Sequence, residues 1–310
     1  MSLFHTLLNS LLPIFALIGL GWWARRSQLL SEQALASFNP FILYICLPAL
    51  MFWSTARVPV SDFAQPAFVA AFMLASLGVG ALAAWLGWRY WQLKGADGLL
   101  ASLNALFGNS VYMGIPLYTL SYGLEGVNLI IIATLLANVV FMGIAISWLS
   151  WLCQPGKLNW RALFSRLLLK NPLLLPPLLG MLCSWQNISL PDALISLFEL
   201  LSQATAPVAL FAMGLSLYGQ RLRGSLSAIA SLSALKLLLH PALAWGLGIA
   251  FGLSGLDLTA LVLMCALPTG ALVSLLAIQY QRLIPISSSV MVFSTLLSLL
   301  SLPLWMALLP

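Results

Sequence analysis

Lys236 and His240 stand four residues apart inside an apolar stretch that runs roughly from 226 to 252, a spacing that stacks both side chains on one face of a helix. A lysine this deep in a membrane helix costs on the order of 2.5 to 3.5 kcal/mol at the bilayer centre, so it needs a partner or a task. Holding a carboxylate, either of a substrate or of a coupling-site acid, is the functional reading. Snorkelling to the cytoplasmic face is the structural one. His240 precedes Pro241, so its ring is either a proton carrier or the partner of a backbone group freed by the missing amide. Glu199 enters as a second candidate for proton exchange, against the alternative of a solvated helix-end acid.

Other chemistry belongs to the main chain. Gly108, Asn109, Ser110, Tyr112, Gly114 and Pro116 crowd the middle of the apolar segment Asn104 to Leu120, and Pro268, Thr269 and Gly270 interrupt another close to its midpoint. Lipid solvates no backbone group, so a helix broken at depth survives only beside protein or a water-filled cavity. Two such breaks, brought together, aim half-helix N-termini with partial positive charge at one place and favour an anion there. Asn138, Ser294 and Thr295 lie near the midpoints of the spans that follow the breaks; they either line a polar cavity or tie helices together. Asp97 and Asp257 precede the two broken spans and suit helix N-termini.

The elements that must position these residues are membrane helices. A chain of 310 residues with 62% hydrophobic and 6% charged residues has too little polar surface to face water. Windows of about 20 apolar residues are long enough to span the hydrocarbon. Ten are expected, at roughly 4–23, 34–55, 66–88, 99–120, 127–151, 172–186, 193–218, 226–252, 258–279 and 286–308. The odd-numbered loops then hold Arg25, Arg26, Arg89, Lys94, Lys157, Arg161, Arg166, Lys170, Arg221, Arg223 and Arg282, whereas the even loops and both termini hold Arg57 alone. Basic loops stay cytoplasmic, so both termini are expected to face outward. The first span has its basic residues behind it, the reverse of a cleavable signal peptide. Trp22, Trp23, Trp85, Trp88, Tyr90 and Trp91 fall at span ends and read as an interfacial belt.

Ten spans divide at about residue 155 into two sets of five, 1–155 and 156–310. An odd number of spans per set predicts an inverted repeat. Pro48-Ala-Leu-Met-Phe52 aligns with Pro207-Val-Ala-Leu-Phe211 at an offset of 159, and Asp97 pairs with Asp257 near that register.

These same residues carry a family resemblance. Asn109-Ser-Val-Tyr-Met-Gly-Ile-Pro-Leu117 resembles the Asn-x-Gly-Phe-x-Gly-x-Pro-Leu signature of the auxin efflux carrier family, with Val111 where that pattern has Gly. The resemblance continues in Leu47-Pro48-Ala-Leu50, Lys236-Leu-Leu-Leu-His240-Pro241, Leu267-Pro268-Thr-Gly270 and Ser294-Thr-Leu-Leu-Ser298, and it covers essentially the whole chain. It implies an all-α secondary carrier of two inverted five-helix repeats with helices four and nine broken and crossed. Spans one, two, six and seven would form a scaffold, homodimeric in the family, and spans three to five and eight to ten the moving transport domain. Family substrates are carboxylates, auxin in plants and malonate, malate or similar acids in bacteria; the short connection between spans five and six looks like a compact bacterial member in the inner membrane. Proton or sodium coupling is compatible with this reading, and no cofactor is implied.

Other classes fit less well. The basic residues are scattered without the dense patch that phosphate binding wants, so no nucleic acid is expected. Cys46, Cys153, Cys183 and Cys265 have no paired ligand spacing, and no metal site is expected. An intramembrane enzyme needs a nucleophile with its base or a metal cluster, and two histidines in separate spans supply neither. A channel or sensor on a carrier fold is the remaining alternative.

Overall fold

The computed structural model describes residues 3–153, 173–219 and 222–309. Among them the regular structure is helical, and the β-type pairing is an isolated antiparallel bridge between Gly108 and Thr269. In chain order the helices are α1 (Leu3–Arg26), α2 (Glu32–Phe41), α3 (Leu47–Ala56), α4 (Pro66–Trp91), α5 (Ala96–Leu106), α6 (Ile115–Leu136), α7 (Gly143–Cys153), α8 (Leu175–Trp185), α9 (Asp192–Leu217), α10 (Leu226–Ala234), α11 (His240–Ala250), α12 (Gly255–Ala266), α13 (Ala271–Gln279) and α14 (Ile284–Leu308). Wider π-helical turns join α2 to α3 at Ile42–Cys46, α6 to α7 at Ala137–Met142 and α10 to α11 at Leu235–Leu239, and another, Ser110–Gly114, leads into α6.

Taken through these turns, six helices among the described residues are long and apolar enough to cross a membrane: Gln33–Ala56, Pro66–Trp91, Gly126–Cys153, Asp192–Leu217, Leu226–Ala250 and Ile284–Leu308. Of the other expected spans, the first is the continuous helix α1, the fourth and ninth are each split in two by non-helical residues, and the sixth is helical over Leu175–Trp185. The fourth and fifth are separated within α6 at Gly123, whose φ of 62° interrupts the helix. The basic residues Lys157, Arg161, Arg166, Lys170 and Arg221, and the expected division at 155, lie outside the described residues.

The chain forms two compact units, one drawing on Met1–Gln65, Val111–Leu135 and Phe164–Gly219, the other on Pro66–Ser110, Leu136–Leu163 and Gln220–Pro310. In the first, α1 packs along α9, and α8 along α3. Both contacts are backbone-close: a Cβ at Gly21 would overlap the carbonyl oxygen of Phe211, and a Cβ at Gly180 would overlap that of Phe52. Small residues permit this approach where apolar lipid gives helices no hydrophobic reason to associate. The residues correspond at an offset of 159, Gly21 to Gly180 and Phe52 to Phe211.

In the second unit α4 packs against α5 and α11, α11 against α12, and α14 against α10, α12 and α13. Phe68, Ala75, Val79 and Leu100 are fully buried there, as are Leu261, Val262 and Leu263 of α12. Leu74, Trp85, Leu300 and Leu304 on the outer faces remain exposed, as suits helices whose solvent is lipid.

Candidate functional site

Both breaks are written into local sequence. Leu267 precedes a proline and is driven out of the helical region to φ −59°, ψ 145°, which ends α12 at Ala266. Gly270 is extended and begins α13. At the other break, α5 ends at Leu106 with Phe107 extended. The two extended pieces pair. The Asn109 N–H donates to Pro268 O at 2.7 Å and the Gly270 N–H to Phe107 O at 2.9 Å. The pairing needs bare backbone, since a Cβ on Gly108 would lie 3.3 Å from Met264 O, and one on Gly270 2.9 Å from the Phe107 ring and 3.0 Å from Gly108 O.

Each half-helix that ends here leaves carbonyls without an intrahelical donor. At the end of α5, Thr269 Oγ1 donates to Asn104 O at 2.7 Å. At the end of α12, Lys236 Nζ donates to Cys265 O at 2.8 Å. The two capped carbonyls occupy equivalent places, four residues before Gly108 and four before Thr269. A cation at a helix C-terminus also complements its partial negative charge. Thr269 is further fixed by its N–H, which donates to Ser294 Oγ at 3.0 Å.

Lys236 sits in the π-helical turn Leu235–Leu239 and is fully buried, as is His240. Nζ lies 3.0 Å from His240 Nδ1, and His240 Nε2 lies 3.1 Å from Ser76 Oγ on α4. Nζ also faces the bridge: a Cβ on Gly108 would stand 3.5 Å from it. The lysine therefore neither snorkels nor lacks partners. Nearby, the Asn104 amide donates to Leu100 O and to Ser287 Oγ, and Ser274 Oγ donates to Ser287 O.

The structure thus gathers Asn109, Lys236, His240, Pro268, Thr269, Gly270 and Ser294 in one unit around the bridge. Ser110 is buried at the start of its π-helical turn, and Asn138 is buried within the turn Ala137–Met142. Thr295 Oγ1 turns back to Met291 O of its own helix. Tyr112, Gly114 and Pro116 belong to the other unit, where the Tyr112 hydroxyl donates to Asn39 Oδ1 at 3.2 Å. There too lies Glu199, about half exposed and 3.8 Å from Arg57, whose guanidinium covers the Trp53 ring. Asp97 stands in the first turn of α5 and takes a two-pronged ion pair from Arg282, at 3.0 and 2.8 Å; Asp257 stands in the first turn of α12.

Sequence reasoning missed Ser76, Asn104 and the Cys265 carbonyl as members of this cluster. A lone serine in an apolar helix carries no signal of its own, and a main-chain oxygen carries none at all. Asn104 was visible as an amide one turn before the break. Among the described residues, no three His, Cys, Asp or Glu side chains converge in a way that holds a metal ion.

A profile of the membrane transport protein family matches residues 6–151 and 158–306. An uncharacterized transporter of Methanothermobacter thermautotrophicus is 26% identical over 306 residues, covering 96% of each chain. A Rhizobium meliloti protein named "Putative malonate transporter" is 28% identical over 295 residues, 93% of this chain and 91% of its own. The uncharacterized transporter YfdV of Escherichia coli K12 is 26% identical over 310 residues, 96% of each. With the paired breaks and their motifs, this match over nearly the whole length makes the chain a member of the membrane transport protein family, the auxin efflux carrier family that its motifs resemble.

Proposed function

We propose that the protein is a secondary transporter that moves a small organic anion, of the malonate or malate class, by alternating access. The observation that carries this reading is the bridged pair of broken helices with a buried cation beside it. Discontinuous helices in corresponding places of two halves are how carriers build a midplane site. In this reading Asn109, Ser110, Thr269 and Ser294 contact the anion, with Asn138 at the rim. Lys236 supplies positive potential from behind the backbone, with two of its three donors engaged by His240 and Cys265.

The inverted repeat draws support from contacts that recur at a fixed offset: Gly21 against Phe211 and Gly180 against Phe52. The capped carbonyls of Asn104 and Cys265, within two residues of that offset, add to it. On this reading the chain crosses a bacterial inner membrane ten times with both termini outward, and helices four and nine cross at their breaks. Spans one, two, six and seven serve as the scaffold of a homodimer, and spans three to five and eight to ten as the moving part. The substrate class takes its support from the name of the Rhizobium meliloti relative.

Counterflow tests the proposal. Proteoliposomes loaded with unlabelled malonate should accumulate labelled malonate transiently, and dicarboxylates of similar size should compete. A channel gives no trans-stimulation, and its absence across a panel of mono- and dicarboxylates would withdraw the carrier reading.

A further inference from the structure

Resting on the carrier reading above, we propose that Lys236, His240 and Ser76 form a buried proton-exchange site, and that the ion coupled to anion movement is a proton held on Lys236 Nζ. The three side chains come from two elements and form one line: Nζ to Nδ1 at 3.0 Å, Nε2 to Oγ at 3.1 Å, all of it fully buried. Ionisable groups inside a membrane protein are costly to keep and mark ion and proton paths.

The line is satisfied in two protonation states. With Lys236 as ammonium, Nζ–H donates to Nδ1 and to Cys265 O, which fixes the imidazole as the neutral tautomer whose Nε2–H donates to Ser76 Oγ. Release of one proton reverses the line. A proton leaves Nζ and bonds to Nδ1, the Nε2 proton passes to Ser76 Oγ, and the Ser76 hydroxyl proton passes to water when the site opens. Three bonds to hydrogen break and three form, with one proton delivered to water. Lys236 is then a neutral amine that accepts from Nδ1–H and still donates to Cys265 O, while the Ser76 hydroxyl donates to Nε2. An unsatisfied buried polar group would otherwise carry the full cost of its desolvation. The same contacts would also hold the proton on His240, with Nδ1–H donating to a neutral amine, but an alkyl amine is the stronger base by about four pKa units. The proton therefore belongs to the lysine, and the histidine is its conduit.

Among the described residues of the elements packed on this turn (α4, α5, α10, α11, α12 and α14), no carboxylate competes, and the titratable group besides His240 that faces Lys236 is the buried Cys265 thiol of α12. Asp97 begins α5 and is held by Arg282, Asp257 begins α12, and Arg89 ends α4. Nζ meanwhile touches the end of the broken helix and faces Gly108 across the bridge. An anion bound at the bridge favours the ammonium, and the ammonium favours the anion. Such coupling is reciprocal, so anion and proton travel together.

Solid-state 15N NMR of histidine-labelled protein in bilayers tests the site directly. The chain has 2 histidines, and His240→Gln assigns the His240 signals by subtraction. The expected result is a neutral imidazole throughout, protonated on Nε2 at low pH and on Nδ1 at high pH, with the exchange of tautomer lost in Lys236→Met. A single tautomer across the titration, or an imidazolium at low pH, overturns the proposal, and the wild-type spectra decide this even where the variant does not fold. In pyranine-loaded proteoliposomes, an inward malonate gradient should acidify the lumen with wild type. Malonate counterflow without tautomer exchange defeats the proton site and leaves the carrier reading standing. Tautomer exchange without counterflow withdraws the carrier reading and leaves the site.

Discussion

The hydroxyl of Thr269 donates across 2.7 Å to the carbonyl oxygen of Asn104, so a residue in the break of one helix closes the end of the other. Lys236 does the corresponding job for Cys265 with a full charge. The two ends are matched in position and unmatched in chemistry, which puts the cation on one side of the bridge.

Thr269→Val removes that donor and leaves a buried carbonyl unsatisfied, at about 1–3 kcal/mol. Thr269→Ser keeps it. Thermal unfolding in detergent should drop for the valine variant and stay near wild type for serine; equal midpoints for both would mean the cap contributes nothing.

Gly270→Leu drives a side chain into the Phe107 ring and Gly108 O, and should abolish malonate counterflow. Pro268→Ala retains the carbonyl that receives the Asn109 N–H, and should reduce transport less. Normal counterflow in both variants would rule out the bridge as the site.

Gly21→Val and Gly180→Val test the repeated contact in the first unit. Each side chain would overlap a backbone carbonyl, of Phe211 and Phe52 respectively, and overpacking of this kind costs about 1–3 kcal/mol. Similar losses from the two variants, read as thermal midpoints, are the expected outcome.

Glu199→Gln should leave counterflow and its pH profile unchanged. Its carboxylate is about half exposed and its 3.8 Å pair with Arg57 is of the exposed kind, worth roughly 0–1 kcal/mol. A displaced pH profile would return Glu199 to candidacy as the coupling acid.

Asp97 and Arg282 form a two-pronged pair at the partly exposed start of α5. A double-mutant cycle over Asp97→Asn and Arg282→Gln should give a coupling of about 1 kcal/mol or less, shrinking as salt is raised.

Composition alone made this a membrane protein, because 6% charged residues cannot clothe a chain of 310 residues in water. The sequence also located both breaks, since Pro268 has no N–H to give and the Gly108 and Gly270 positions carry no side chain to obstruct a neighbour. It singled out Lys236 because a charge among leucines is costly wherever the chain folds. What the charge does was decided by tertiary structure. Partnership with His240 follows from helical spacing, but Cys265 O and Ser76 lie far away in sequence, and a carbonyl or a lone serine has no pattern to read. The same limit divided the motif at 109–117: Asn109 bridges to Pro268, while Tyr112, three residues on, reaches Asn39 in the other unit. Hydrophobic patterning specifies which residues enter the membrane; which polar atoms then meet there depends on helix packing, because buried hydrogen-bonding groups must be satisfied by whatever the fold brings near.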